Sequence, residues 1–289
     1  MSVMSSFACV ATATAMLALG TSAVFGEAFD SEHLFGFTEG TDIGEAGDKE
    51  LELEAGLRAG KRNGSYSAFT PGTELKLTIA DGLRISPGFG ASRHSISGVA
   101  GLGDHHHWAA EEFSFETKVQ AFDRARAGFG LTFAATPSVS RVDAISGERV
   151  SSYGSHFSIL ADKELIANRL FGALNLHYDF AATQIRATGA WVHGSGIEAS
   201  GALAVQVHSG VFLGSEVRYA RVYGGLGLND YAGDALFVGP SFYAKLSNRV
   251  WFAAGWNVQV HGRAVGDAGR LNLVEFERHD AKVRLGLSF

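Results

Sequence analysis

The sequence predicts an all-β fold: a single transmembrane antiparallel up-and-down β-barrel of about twelve strands, preceded by a cleaved signal peptide. Three observations predict it. From Glu50 to Phe289 apolar and polar side chains alternate with period two, the repeat of strands whose two faces meet different surroundings. Short turns alternate with longer connections along the chain. Beyond residue 48 there is no uncharged run of about 18 apolar residues, the length a membrane helix needs.

The first element is N-terminal. Residues 7–25, FACVATATAMLALGTSAVF, form the one long uncharged apolar run. It gives way to Gly26-Glu27-Ala28 and acidic, loop-like sequence, so residues 1–28 read as a secretory signal cleaved between Ala23 and Ala28. No Lys or Arg precedes the run, so the usual positive n-region is absent. The single cysteine, Cys9, lies inside it. A processed chain therefore contains no thiol, which excludes disulfide, redox and cysteine-metal chemistry.

The strands follow. In ELELEAGLRA, Leu51, Leu53, Ala55 and Leu57 share one face, while Glu50, Glu52, Glu54 and Arg58 share the other. TELKLTIA sets Leu75, Leu77 and Ile79 against Glu74, Lys76 and Thr78, and EFSFETKVQAF sets Phe113, Phe115 and Val119 against Glu112, Glu116 and Lys118. A soluble core has no use for the charged face. Similar segments are expected at 83–91, 127–139, 151–161, 169–181, 197–208, 211–223, 235–246, 249–262 and 277–289. Strands of 9 to 13 residues suit a tilted crossing of the hydrocarbon layer.

Tight turns are expected at Asp81-Gly82, Phe122 to Ala125, Ser209-Gly210 and Ser247-Asn248, with a longer one at Asp162 to Asn168. On the other side, loops of roughly ten or more residues are expected at 60–72, 95–110, 139–150, 182–196, 223–234 and 262–276, with both termini on the short-turn side.

The C-terminal AKVRLGLSF places Ala281, Val283, Leu285, Leu287 and Phe289 on one face and ends on an aromatic residue. It resembles the terminal strand of Gram-negative outer-membrane β-barrel proteins, channel- and transporter-like, with no subfamily identified. The resemblance implies a bacterial outer-membrane location in a lipid bilayer. It also implies that Val283, Leu285, Leu287 and Phe289 serve as the insertion signal read by barrel-assembly machinery. Residues 29–48 are then a periplasmic segment and 49–289 the barrel.

Closure puts one face toward lipid and the other toward the interior. The expected pore-lining residues are Glu52, Glu54, Arg58, Lys76, Arg84 and Glu116, continuing with Lys118, Glu216, Arg218, Lys245, Lys282 and Arg284. Small residues such as Gly88, Gly90, Ala204 and Gly214 share that face and should leave free volume. Leu160, Phe171, Phe212 and Trp251 point inward near the short turns, where an aqueous lumen should not favour them. HLFGFTEGTDIG carries Leu34, Phe35 and Phe37 to the same end, so this segment is expected to fold against the mouth as a partial plug.

These features point to a narrow channel or transport pore for small polar solutes. The alternatives are a non-conducting structural or adhesive barrel using loops such as 95–110 and 182–196, and a membrane-embedded hydrolase. A formal charge of −6 with scattered signs excludes a nucleic-acid footprint. No catalytic residue, metal site or cofactor is assigned. The triplet His105-His106-His107 lacks metal-site spacing and is read as solvated loop, and His193 with Ser195 and His208 with Ser209 are only sequence neighbours, poor evidence for a site whose groups meet through the fold.

Overall fold

A computed structural model describes residues 30–289. The signal peptide expected over residues 1–28 lies outside the described residues. Among the described residues the chain forms β1 (Lys49–Ala59), β2 (Ser65–Ala80), β3 (Leu83–Ser97), β4 (His105–Phe122), β5 (Gly130–Val142) and β6 (Arg149–Ile166). It continues with β7 (Leu170–Ile185), β8 (Trp191–His208), β9 (Val211–Tyr223), β10 (Tyr231–Lys245), β11 (Val250–Ala264) and β12 (His279–Ser288). Each strand pairs antiparallel with the next, and β1 pairs with β12 with Leu53 opposite Leu285 and Glu54 opposite Arg284. The sheet is closed and exposes no edge, the condition for a β-structure in lipid, where an unpaired backbone group finds no substitute donor or acceptor.

The two faces follow the alternation. Leu53 and Leu285 are 48 % and 40 % exposed on the outer face, whereas Glu52 and Arg84 are 5 % and 3 % exposed on the inner one. Phe115, Phe157, Leu176 and Val217 join the outer band. This inverts the order of a water-soluble protein, in which large apolar side chains are the buried ones.

The strands run from 10 to 18 residues, beyond the expected 9 to 13. Pairing continues past the apolar band because a ladder satisfies backbone groups outside lipid as well as within it. The outer connections shrink accordingly to 60–64, 98–104, 143–148, 186–190 and 224–230, and only that at 265–278 keeps the expected length. His105–His107 open β4 rather than sitting in a loop. On the other side, β6 runs on to Ile166, so the longer turn expected from Asp162 is confined to 167–169. The turn after β4 carries one helical turn, α1 (Arg124–Ala127), capped by the Asp123 carboxylate accepting from Ala125 N at 2.8 Å and closed by Gly128 at φ +77°.

Candidate functional site

The interior at the short-turn end is filled by residues 30–48. Up to Asp48 this segment forms no strand, and it is held through side chains and single backbone groups. Its apolar part is Leu34 and Phe35, 1 % and 0 % exposed, in one cluster with Phe171, Phe212, Tyr243 and Trp251. Ala173, Ala202, Ala204 and Ala253 complete that cluster. The alanines on the inner face leave the room that Phe35 takes, and burying each large side chain contributes about 2 kcal/mol. Gly36 passes β11 so closely that a Cβ on it would stand 2.6 Å from the Gly255 Cα, so both positions need glycine. Leu160 is fully buried on the inner face of β6.

The polar part is organised around two carboxylates. Glu32 accepts from Arg84 Nη1 at 2.6 Å and lies 3.3 Å from Lys76 Nζ and 3.2 Å from Lys118 Nζ. Burial pushes its carboxyl up, but Arg84 and Lys76, with His33 and Lys118, outweigh this and hold it well below the usual carboxylate range. Lys76 also meets Glu52 at 2.6 Å, and Lys118 meets Glu39 at 2.8 Å and Glu116 at 3.5 Å. Glu216, from β9, accepts the backbone amides of Gly36, Phe37 and Thr38, the last two at 2.9 and 3.1 Å. Arg284 donates to the Phe35 carbonyl at 2.7 Å.

The remaining contacts ring the wall. Thr41 Oγ1 donates to Asp162 at 2.7 Å, Thr132 donates to the Thr41 carbonyl at 2.7 Å, and Thr78 donates to the Ile43 carbonyl at 2.7 Å. Glu39 exchanges two hydrogen bonds with Asn175, at 2.7 and 2.9 Å. His33 stacks on Trp251 with ring centroids 3.8 Å apart. The segment thus touches strands on opposite sides of the barrel. Beside it a cleft of about 320 Å³ is lined by Asp30, His33, Glu50 and Phe289, among others.

The residues expected to line a pore fall at four places. Glu52, Lys76, Arg84, Glu116, Lys118, Glu216 and Arg284 surround the segment. Farther out, Arg218 pairs with Glu198 at 3.0 Å and Asp280 at 3.1 Å, Lys282 pairs with Glu54 at 3.4 Å, and the Phe37 ring lies 4.2 Å from the Arg218 guanidinium. Arg58 stands apart, donating to the Ala144 carbonyl of the 143–148 loop at 2.7 Å. Lys245 ends β10 at the rim, paired with Trp251, where it is exposed and lines a cleft with Asp30, Glu50 and Tyr243. Val283, Leu285 and Leu287 face outward, with Phe289 exposed at the end of the chain.

His33 with Asp30 and Glu32, and His33 with Glu50 and Glu52, are the described groups whose ligand atoms come within 4.8 Å of one another. Lys76 contacts Glu32, Glu50 and Glu52 and Arg84 contacts Glu32, so cations already stand beside three of these four carboxylates. Ser195 Oγ donates to the Gly225 carbonyl rather than to His193, and His208 Nδ1 lies 3.2 Å from the Ser209 carbonyl.

Glu32, His33, Asp162 and Asn175 were not anticipated from sequence. The one available signal was charge matching, since Glu32, Glu39 and Asp42 precede a barrel whose inner face carries Lys76, Arg84 and Lys118.

A search of the curated proteins finds no match. Among solved structures the fold is similar to the COG4313 outer membrane channel from Pseudomonas putida F1, with TM-score 0.56 and 13 % identity, covering 86 % of this chain and 97 % of that one. The NanC porin is similar at TM-score 0.50 and 10 % identity, covering 82 % and 98 %. The β domain of the Bordetella autotransporter BrkA is similar at TM-score 0.51 and 13 % identity, covering 85 % and 100 %. The fold is that of bacterial outer-membrane β-barrels, and the outer-membrane bilayer is its environment. Over residues 27–289 the chain matches, and belongs to, the family described as "Family of unknown function (DUF6662)".

Proposed function

We propose that the protein is a gated passage for small polar solutes, in which residues 30–48 are the plug and Glu54, Arg58, Arg218 and Lys282 line the path beyond it. The observation that carries this reading is how the segment is held. It fills the mouth through ion pairs, hydrogen bonds made largely with wall side chains and one apolar cluster, while the wall keeps its complete ladder without it. Such a segment can leave without opening the sheet. The printed names of two neighbours in fold, a channel and a porin, are in keeping with this reading. Both signs of charge on the path imply weak ion preference. The outward Val283, Leu285, Leu287 and Phe289 are proposed as the signal read by the barrel-assembly machinery.

Liposome swelling tests the reading. Vesicles carrying the full barrel should swell slowly in an isotonic pentose, and those carrying a barrel deleted of residues 30–48 should swell quickly in the pentose and slowly in a trisaccharide. A deleted barrel that admits neither sugar overturns the proposal.

A further inference from the structure

The inner faces of β6 and β7 carry a chain of four polar side chains that the plug does not use. His156 Nδ1 lies 2.5 Å from Asp179 Oδ1, and His156 Nε2 lies 2.8 Å from Ser158 Oγ. On its other side Ser158 Oγ lies 2.8 Å from His177 Nδ1. Strand geometry builds the cluster. Residues two apart share a face, and the register sets Asp179 opposite His156 and His177 opposite Ser158.

Asp179 fixes the direction of the chain. A carboxylate only accepts, so His156 donates through Nδ1, and in the neutral imidazole its Nε2 carries the lone pair. Ser158 has one proton, which it gives to His156 Nε2, and it accepts from His177 Nδ1. The hydroxyl is thereby aimed at a base that an acid orients, the arrangement that activates a serine nucleophile. Ser158 is 7 % exposed, whereas the His156 and Asp179 side chains are 40 % and 53 % exposed toward the lumen. Asn175, two residues along β7 from His177, is bound to Glu39. The cluster therefore sits on the outer side of the docked segment, where a solute entering from outside would be stopped.

We propose that Ser158 and His156, oriented by Asp179, form a nucleophilic site for small carboxylic esters in the lumen. Ser158 Oγ bonds to the acyl carbon as its proton passes to His156 Nε2. The ester C–O bond then breaks, and His156 returns the proton to the departing alkoxide, which leaves as the alcohol. Water repeats the sequence: His156 takes one of its protons, the hydroxyl bonds to the acyl carbon, and the C–Oγ bond breaks. The proton goes back to Ser158 as the carboxylic acid departs. Asp179 is a positioning residue, acting through the imidazole.

The test uses the refolded full chain in detergent, a fluorophosphonate probe with peptide mapping, and turnover of p-nitrophenyl acetate. The expected result is one phosphonyl adduct, on Ser158, absent in Ser158→Ala and forming roughly 1000-fold more slowly in His156→Gln, with turnover falling roughly 1000-fold in both. Asp179→Asn should displace the pH profile of turnover, and Asp179→Glu should restore it, which a purely structural role would not do. An unlabelled Ser158 in the unaltered barrel, or labelling at an unchanged rate in folded His156→Gln, overturns the proposal. The readout is chemical, so it stands or falls independently of whether the barrel conducts.

Discussion

Glu216 and Phe37 define how the mouth is closed: the Glu216 carboxylate, projecting inward from β9, accepts the Phe37 amide at 2.9 Å and the amides on either side of it. Consecutive N–H groups turned toward one point form an anion-binding concavity. Here the anion belongs to the wall and the concavity to the segment. Glu216→Gln keeps the size but replaces one acceptor oxygen with a donor facing donors. The expected cost is about 1.5–3 kcal/mol of docking, read as faster hydrogen exchange at Gly36, Phe37 and Thr38 with the barrel amides unchanged.

Glu32 stands against three cations at once. Removing it in Glu32→Ala leaves Arg84, Lys76 and Lys118 around a buried site with part of their compensation gone, which costs about 3–5 kcal/mol. The loss should appear as a lower unfolding temperature of the refolded barrel. An unfolding temperature unchanged from the parent would show that Glu52, Glu116 and Glu39 suffice.

The depressed carboxyl of Glu32 gives the plug a pH signature. A group whose folded pKa lies below its unfolded value, about 4.3 for Glu, adds stability that is present above the unfolded value and is lost as pH falls through the folded one. Docking should therefore hold from neutral pH down to about 4 and weaken only below. The emission of Trp251, stacked on His33, reports it by difference from Trp251→Phe. Burial pushes the Asp42 carboxyl up to about 6, and its protonation favours docking as pH falls, so undocking complete above about pH 5 would contradict this electrostatic account.

Gly255 tests the close approach. A Cβ there would stand 2.8 Å from the Gly36 Cα and 3.2 Å from the Phe37 ring. Gly255→Val suits a strand and should leave the wall intact while expelling the segment, raising protease cleavage within residues 30–48. Protection equal to that of the parent would mean the contact is not limiting.

The barrel was legible because lipid and lumen impose opposite demands on neighbouring residues, so Leu53 beside Glu52 already states which way each side chain faces. The apolar contact of residues 30–48 with the wall was legible for a related reason: Phe171, Phe212 and Trp251 fall on a face that should be polar, and Leu34 and Phe35 lie at the same end. The outer thirds of the strands were not, since above the bilayer both faces are wet and His105–His107 carry no alternation to follow. Glu32 against Arg84, and His156 against Asp179, were also out of reach. Each pairing depends on a register or docking that brings together residues remote in the chain.

The central claim is that a closed twelve-strand wall holds a removable segment in its mouth. Single-channel recording in planar bilayers tests it most directly, comparing the refolded chain with the same chain deleted of residues 30–48. The account predicts that the parent is closed or shows small, infrequent steps and that the deletion gives larger, sustained ones. Equal conductance in the two would contradict it.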